Sequence, residues 1–274
     1  MKGEADALGS LRFTRFRLTY KVLERAVFPA EKPPLFRRHL VTSMRDAACG
    51  PACPLQSGPL PFVYVPPVDT RTMLLPGDAL KATFVLVGSS VSHAACCIVG
   101  LDRHTRKGVG PQRCRVILEQ VDWLDPRDRL WSRYYFTKEQ EIRSTPVAFD
   151  ARHLEERAKL LAGRTRLTLQ LTTPLRLPAP VDGHALLGAL HARISQLGVV
   201  WCEGNAPAAP PHDDLTADLS MLLPRPRARR TTEWNGHVTL TGTLTPWLAP
   251  LVAGQHIGLG AGAALGYGRY ELRP

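Results

Sequence analysis

Between His256 and Glu271 the chain reads HIGLGAGAALGYGRYE, with glycines at 258, 260, 262, 266 and 268 set among Tyr267, Arg269 and Tyr270. Lacking Cβ, such residues reach positive φ and turn backbone N–H groups outward, so this glycine-rich loop, 256–270, suits close approach to a ligand. A polyanion is the natural partner. GLGAGA, Gly258 to Ala263, formally fits the dinucleotide fingerprint, but that reading needs a helix, a further strand and an acidic residue about twenty positions on. Only eleven residues of this sequence follow Ala263, so a dinucleotide site is not expected.

Charge points the same way. Among 274 residues, 35 Lys and Arg face 24 Asp and Glu, a formal net charge of +11, and most of the bases are arginines, whose planar guanidinium grips phosphate with two donors. Nucleic acid leads the expected partners. No apolar run reaches the roughly 20 residues of a membrane span, and MKGEADALGSLRF lacks the pattern of a signal peptide, so a cytoplasmic protein is expected. Of six cysteines, only Cys49 and Cys53 are spaced for ligation, and no second pair completes a zinc site. No metal or cofactor is expected; the thiols read as small core hydrophobes.

The sequence tells one story twice. Alternation over Leu11–Tyr20 precedes a basic helix, Leu35–Ala48; PGDALKATFVLVGSS, an apolar helix from His93, the basic turn RHTRKGVGPQR and the strand CRVILEQV follow, with a further strand at Phe62–Val65. Arg166–Leu171 alternates likewise before a helix, His184–Leu197; GHVTLTGTL, an apolar helix from Pro246, the glycine loop and a last strand at Tyr270 complete the second half. Each half reads β-α-β-β-α-β, and the expected fold is α+β, two tandem ferredoxin-like (RRM-like) domains at 1–121 and 164–274. Between them, 122–163 reads as a linker with a bridging hairpin and a helix running from an Asp150 N-cap to Gly163. Residues 203–230 read as a basic insertion: a proline-rich loop, a short helix over Leu215–Leu223 with Asp213 and Asp214 at its start, and the arginine finger PRPRARR.

These motifs resemble a known family. PFVYVPPVDTRTMLLPGDALKATFVLVG is similar to the PFV-x-x-PP, PGD and L-x-G pattern of the RAMP-superfamily endoribonucleases that cut the repeat of precursor CRISPR RNA. LTLQLTTPLRL with the Arg193 helix resembles the opening of their second half, and WNGHVTLTGTL with PLVAGQHIGLGAGAALGYGRYEL resembles its close. The resemblance implies a repeat stem-loop as substrate, metal-independent attack of a ribose 2′-hydroxyl, and retention beside other CRISPR effector subunits. Non-catalytic RAMP subunits share the fold, so an RNA-binding role without cleavage stays open.

Transesterification needs in-line geometry, proton transfer and charge stabilisation. Histidine suits the proton steps. Among nine histidines, His39 in FRRHL is the first candidate: with Phe36 and Leu40 in the core, Arg37, Arg38 and His39 are expected on exposed directions. Tyr20, Lys21 and Arg25 are expected to face the same site, and Arg25 with Arg38 forms a rival arginine-centred catalytic set. The expected RNA grip comprises Arg37, Lys21, the finger arginines Arg225, Arg227, Arg229 and Arg230, His256, the five loop glycines and Arg269, with Tyr267 or Tyr270 offering rings for base stacking.

Overall fold

Phe16, Leu18, Tyr20 and Val22 are wholly buried while the residues between them are not, and this period of two builds strand β1 (Phe13–Val22). The computed structural model describes residues 8–29, 31–46, 60–110, 112–143, 145–211, 214–226 and 232–274. They divide into two units, Phe13–Ala148 and Phe149–Pro274, the latter with the N-terminal residues through Arg12.

In the first unit β1 is followed by β2 (Ala26–Val27), α1 (Pro33–Asp46), β3 (Phe62–Val65), β4 (Met73–Leu74), β5 (Ala79–Val87), α2 (Ala94–Thr105), β6 (Val116–Leu124), β7 (Trp131–Phe136) and β8 (Glu141–Ile142). The main sheet runs β3-β5-β1-β6-β7-β8, antiparallel at every step, and β2 pairs with β4 apart from it. Phe36 and Leu40 from α1, with Ile98 and Leu101 from α2, share one apolar core with Phe16, Leu18 and Phe84 of the sheet. Pro33 and Pro34 open α1, where a missing N–H costs nothing. Just before them, buried Lys32 donates from Nζ to the carbonyls of Asp69, at 2.6 Å, and Arg71, tying the helix start to the loop ahead of β4.

The second unit comprises α3 (Ala151–Lys159), β9 (Arg166–Leu171), β10 (Leu175–Arg176), α4 (Gly183–Trp201), β11 (Thr216–Asp218), β12 (Leu222–Pro226), β13 (Thr232–Thr241), α5 (Leu248–Ile257) and β14 (Tyr270–Arg273). β13 is flanked by β9 and its continuation β10 on one edge and by β11 and β12 on the other; β14 closes the far side of β9. Asp150 and Asp182 cap α3 and α4, their carboxylates accepting from the N–H groups of His153 at 3.2 Å and Ala185 at 2.6 Å.

Two expectations are corrected. The expected linker 122–163 is no separate piece: β6 runs on to Leu124, β7 and β8 widen the first sheet, and α3 packs on α5 in the second unit. Leu215–Leu223 is no helix but lies across the turn joining β11 to β12, both of them paired with β13. Gly236 of β13, at φ +112°, makes this possible: a Cβ there would lie 2.0 Å from the Met221 carbonyl oxygen, so only glycine lets the backbones approach so closely. Cys97, Cys114 and Cys202 are buried, and Cys49 and Cys53 lie outside the described residues. No helix among the described residues is long and apolar enough to cross a membrane.

Candidate nucleic-acid interface

The inner stripe of α1 is Phe36, His39, Leu40 and Ser43, at i, i+3, i+4 and i+7. His39 therefore sits on the buried face rather than among exposed directions, with 8% of its surface accessible. Its ring meets that of His104 on α2, centroids 4.4 Å apart and planes at 55°. Burial, and then the neighbouring His104, push the His39 imidazole down to a pKa of about 4. Its Nε2 is buried and makes no hydrogen bond. Arg38 is exposed and Arg37 half-buried.

Tyr20 departs further from expectation. Its side chain points into the core, ring centroid 5.5 Å from Phe36 and hydroxyl 3.4 Å from that of Tyr64, because its position in β1 shares the inward face with Leu18 and Val22. Burial raises its pKa above the usual phenol range. Lys21, on the opposite face of β1, donates to Glu119 Oε1 at 2.9 Å, and Arg25 is exposed in the connection from β1 to β2.

His104 occupies the last turn of α2, with exposed Arg103 before it. Arg106 returns to Asp102 at 3.0 Å, and Lys107 and Arg113 lie exposed in the following turn. Gly110 packs that turn on the start of α1, since a Cβ there would touch Leu35 Cδ1 at 3.0 Å. The fold thus brings the basic segment of α1 and the basic turn after α2 to the same end of the two helices, around a histidine pair.

In the second unit the glycine loop is largely folded on itself. Leu259 N–H donates to the Gly268 carbonyl at 3.1 Å, Ala261 N–H to that of Arg176 at 2.9 Å and Gly268 N–H to that of Pro174 at 2.8 Å. Gly268 has φ +63°, and a Cβ would lie 1.9 Å from the Leu259 carbonyl oxygen. Gly258, Gly266 and Gly268 are buried and serve the loop's own closure, not an open ribbon, whereas Gly262 is exposed and Gly260 half-exposed. Among the described residues, no backbone carbonyl accepts from Gly260 N–H or Gly262 N–H.

The remaining expected contacts sort unevenly. His256 is buried, its ring tilted against that of Phe149 with centroids 5.5 Å apart, because it falls on the inner side of α5. Arg269 turns inward, its N–H donating to Thr173 Oγ1 at 2.9 Å and its guanidinium to the His256 carbonyl at 3.3 Å. Tyr270 is core, donating to the Leu251 carbonyl at 2.7 Å, and Tyr267 is buried beneath the Arg176 guanidinium, 3.5 Å from its ring centroid. Neither ring is open for a base. Arg225 is exposed on β12, while Arg227, Arg229 and Arg230 lie outside the described residues.

Comparison with solved structures decides the architecture. The chain superposes over 96% of its length on 99% of a Thermus thermophilus Cas6 (TTHB231), with TM-score 0.55 and 13% identity. It has the Cas6 fold. A Cas6 (TTHA0078) product complex matches over 96% of this chain and 100% of that one, with TM-score 0.52 and 17% identity. A partial Cas6-RT-Cas1–Cas2 complex matches with TM-score 0.61 and 16% identity over 96% of this chain, which spans 46% of that longer one. A family model described as AF_1859_N, N-terminal domain, matches residues 54–147, and no curated protein matches.

Two residues of this Cas6-like fold escaped the sequence reading. His104 stood in the noted basic turn but far from His39 along the chain, and no local spacing links the two helices. Arg176 ends β10 as one arginine among many; its signal lies in Glu233, a fully buried carboxylate that demands a cation.

Proposed function

We propose that this chain is a metal-independent endoribonuclease built of two ferredoxin-like halves, which binds the stem-loop of a CRISPR repeat and cleaves precursor CRISPR RNA by 2′-hydroxyl attack. The carrying observation is the end-to-end correspondence with Cas6 structures, one of them described as a product complex. In each half the strand order supports the ferredoxin-like reading: second, third, first, fourth, with two helices crossing over. The 2′-oxygen attacks phosphorus, the 5′-oxygen departs, and a cyclic phosphate remains. Exposed Arg38 and Arg25 suit charge stabilisation on the phosphorane, and the proton steps suit a histidine. The N–H groups of Gly260 and Gly262, which no backbone carbonyl among the described residues accepts, suit a backbone phosphate at the loop tip. The product stays bound and joins other CRISPR effector subunits.

The burial of Tyr20 and His39 favours one second reading, a RAMP-type RNA-binding subunit without catalysis. Repeat RNA incubated in EDTA separates the two. Cleavage that leaves a cyclic phosphate, and that stops when one nucleotide is 2′-deoxy, is the outcome expected of the enzyme; tight binding with intact RNA is that of the subunit.

A further inference from the structure

We propose that His104 is a catalytic residue of this reaction, the imidazole that meets the scissile phosphodiester, with His39 packed behind it as its positioning residue. The inference rests on the endoribonuclease reading above. Its observation is the contact between two helices: the two rings lie 4.4 Å apart, yet only one of them is open to a substrate. His39 is more than nine-tenths buried, so its ring cannot reach a ribose without leaving the core. His104 is half-exposed at the end of α2.

The surroundings of His104 fit a phosphodiester. Arg103 precedes it, Lys107 and Arg113 follow in the turn, and Arg38 stands exposed on α1 one residue before His39. Arg106 is held by Asp102, which also accepts from the Tyr135 hydroxyl at 3.2 Å, so this corner of α2 is fixed to the sheet. A ring on a rigid helix end, backed by a second ring, has the restricted geometry that in-line chemistry requires.

The step balances. The 2′-oxygen forms its bond to phosphorus as its proton passes to the His104 imidazole; the P–O5′ bond breaks, its electron pair stays on the 5′-oxygen, and the imidazolium so formed returns the proton there. No oxidant, metal or co-reactant enters. His39, held neutral by burial, adds no charge to repel that imidazolium and keeps the His104 ring from turning away.

The test is single-turnover cleavage of repeat RNA by the full chain in EDTA, with affinity measured separately on a 2′-deoxy repeat. His104→Ala and the near-isosteric His104→Asn are expected to slow cleavage by at least about a hundredfold, the lower range for loss of a proton-transfer group, at unchanged affinity. His39→Ala is expected to slow it less, and His39→Phe, which keeps a ring behind His104, to recover part of that loss. The double variant His39→Ala with His104→Ala is expected to be no slower than His104→Ala alone. Cleavage by folded His104→Ala at the wild-type rate overturns the proposal while leaving the endoribonuclease reading intact. His39→Phe as slow as His104→Ala reverses the two roles and overturns it too. A wild-type chain that binds the repeat and never cleaves overturns the reading, and this inference with it.

Discussion

A histidine held neutral inside a helix pair makes folding depend on pH. Unfolded, the His39 side chain titrates near 6.5; folded, near 4. Between those values the unfolded chain binds a proton that the native chain refuses, so stability is fully present above about pH 6.5 and falls as pH drops toward 4, by about 3 kcal/mol in all. His39→Gln removes that proton linkage. Urea unfolding across this range is expected to give wild type a steeper acid decline than the variant; parallel declines would place the titrating group elsewhere. At Gly268 the constraint is steric. Alanine there meets both a positive φ and the Leu259 carbonyl, so Gly268→Ala is expected to lower stability by at least about 1–3 kcal/mol, the cost of the backbone strain alone. A melting temperature equal to wild type would show that the loop can open without loss.

At the scale of elements, β10 governs the glycine loop through one residue. Arg176 donates from Nε and Nη2 to Glu233 Oε1 at 3.0 and 2.6 Å, covers Tyr267 with its guanidinium, and accepts Ala261 N–H at its carbonyl. Removing a partner from a buried pair costs about 3–5 kcal/mol, because the remaining charge stays in the core. Arg176→Ala is expected to destabilise the second unit by that order, and adding Glu233→Gln to recover part of it; additive losses in denaturant melts would mean that the two side chains act independently. This clasp was not legible in the sequence, since it joins residues of different strands. Elements whose signal is local were legible: Arg166–Leu171 alternates, Phe62–Val65 is a short β-branched and aromatic run, and Asp150 announces α3. Leu215–Leu223 misled because its apolar residues suit a helix, while the deciding fact, a glycine that admits its backbone, lies on β13. His39 misled more subtly. Three residues after Phe36 and one before Leu40, it stands where a helix face turns from exposed to buried, and the packing of α2 decides the side.

At the scale of the whole molecule, a charge of +11 on a fold shared end to end with Cas6 structures makes the proposed RNA binding a problem in electrostatics before it is one of shape. Each phosphate neutralised by an arginine releases condensed counterions, so the logarithm of affinity falls with the logarithm of salt in proportion to the number of contacts. Arg225, Arg227, Arg229 and Arg230 form a run with no acid between Asp218 and Glu233, and the mutual repulsion of such a run is relieved by a polyanion. Replacing all four with alanine is expected to flatten the salt dependence of binding to a 2′-deoxy repeat hairpin by about 0.7–0.9 per lost contact, read from titrations over roughly 50–300 mM salt. A uniform loss of affinity at unchanged slope would instead mean that these arginines shape β12 and β13 and leave the phosphates to other residues. The exposed bases around α1 and the turn after α2 would then have to carry the charge-dependent binding, and replacing Arg38, Arg103, Lys107 and Arg113 should move the slope that the finger does not.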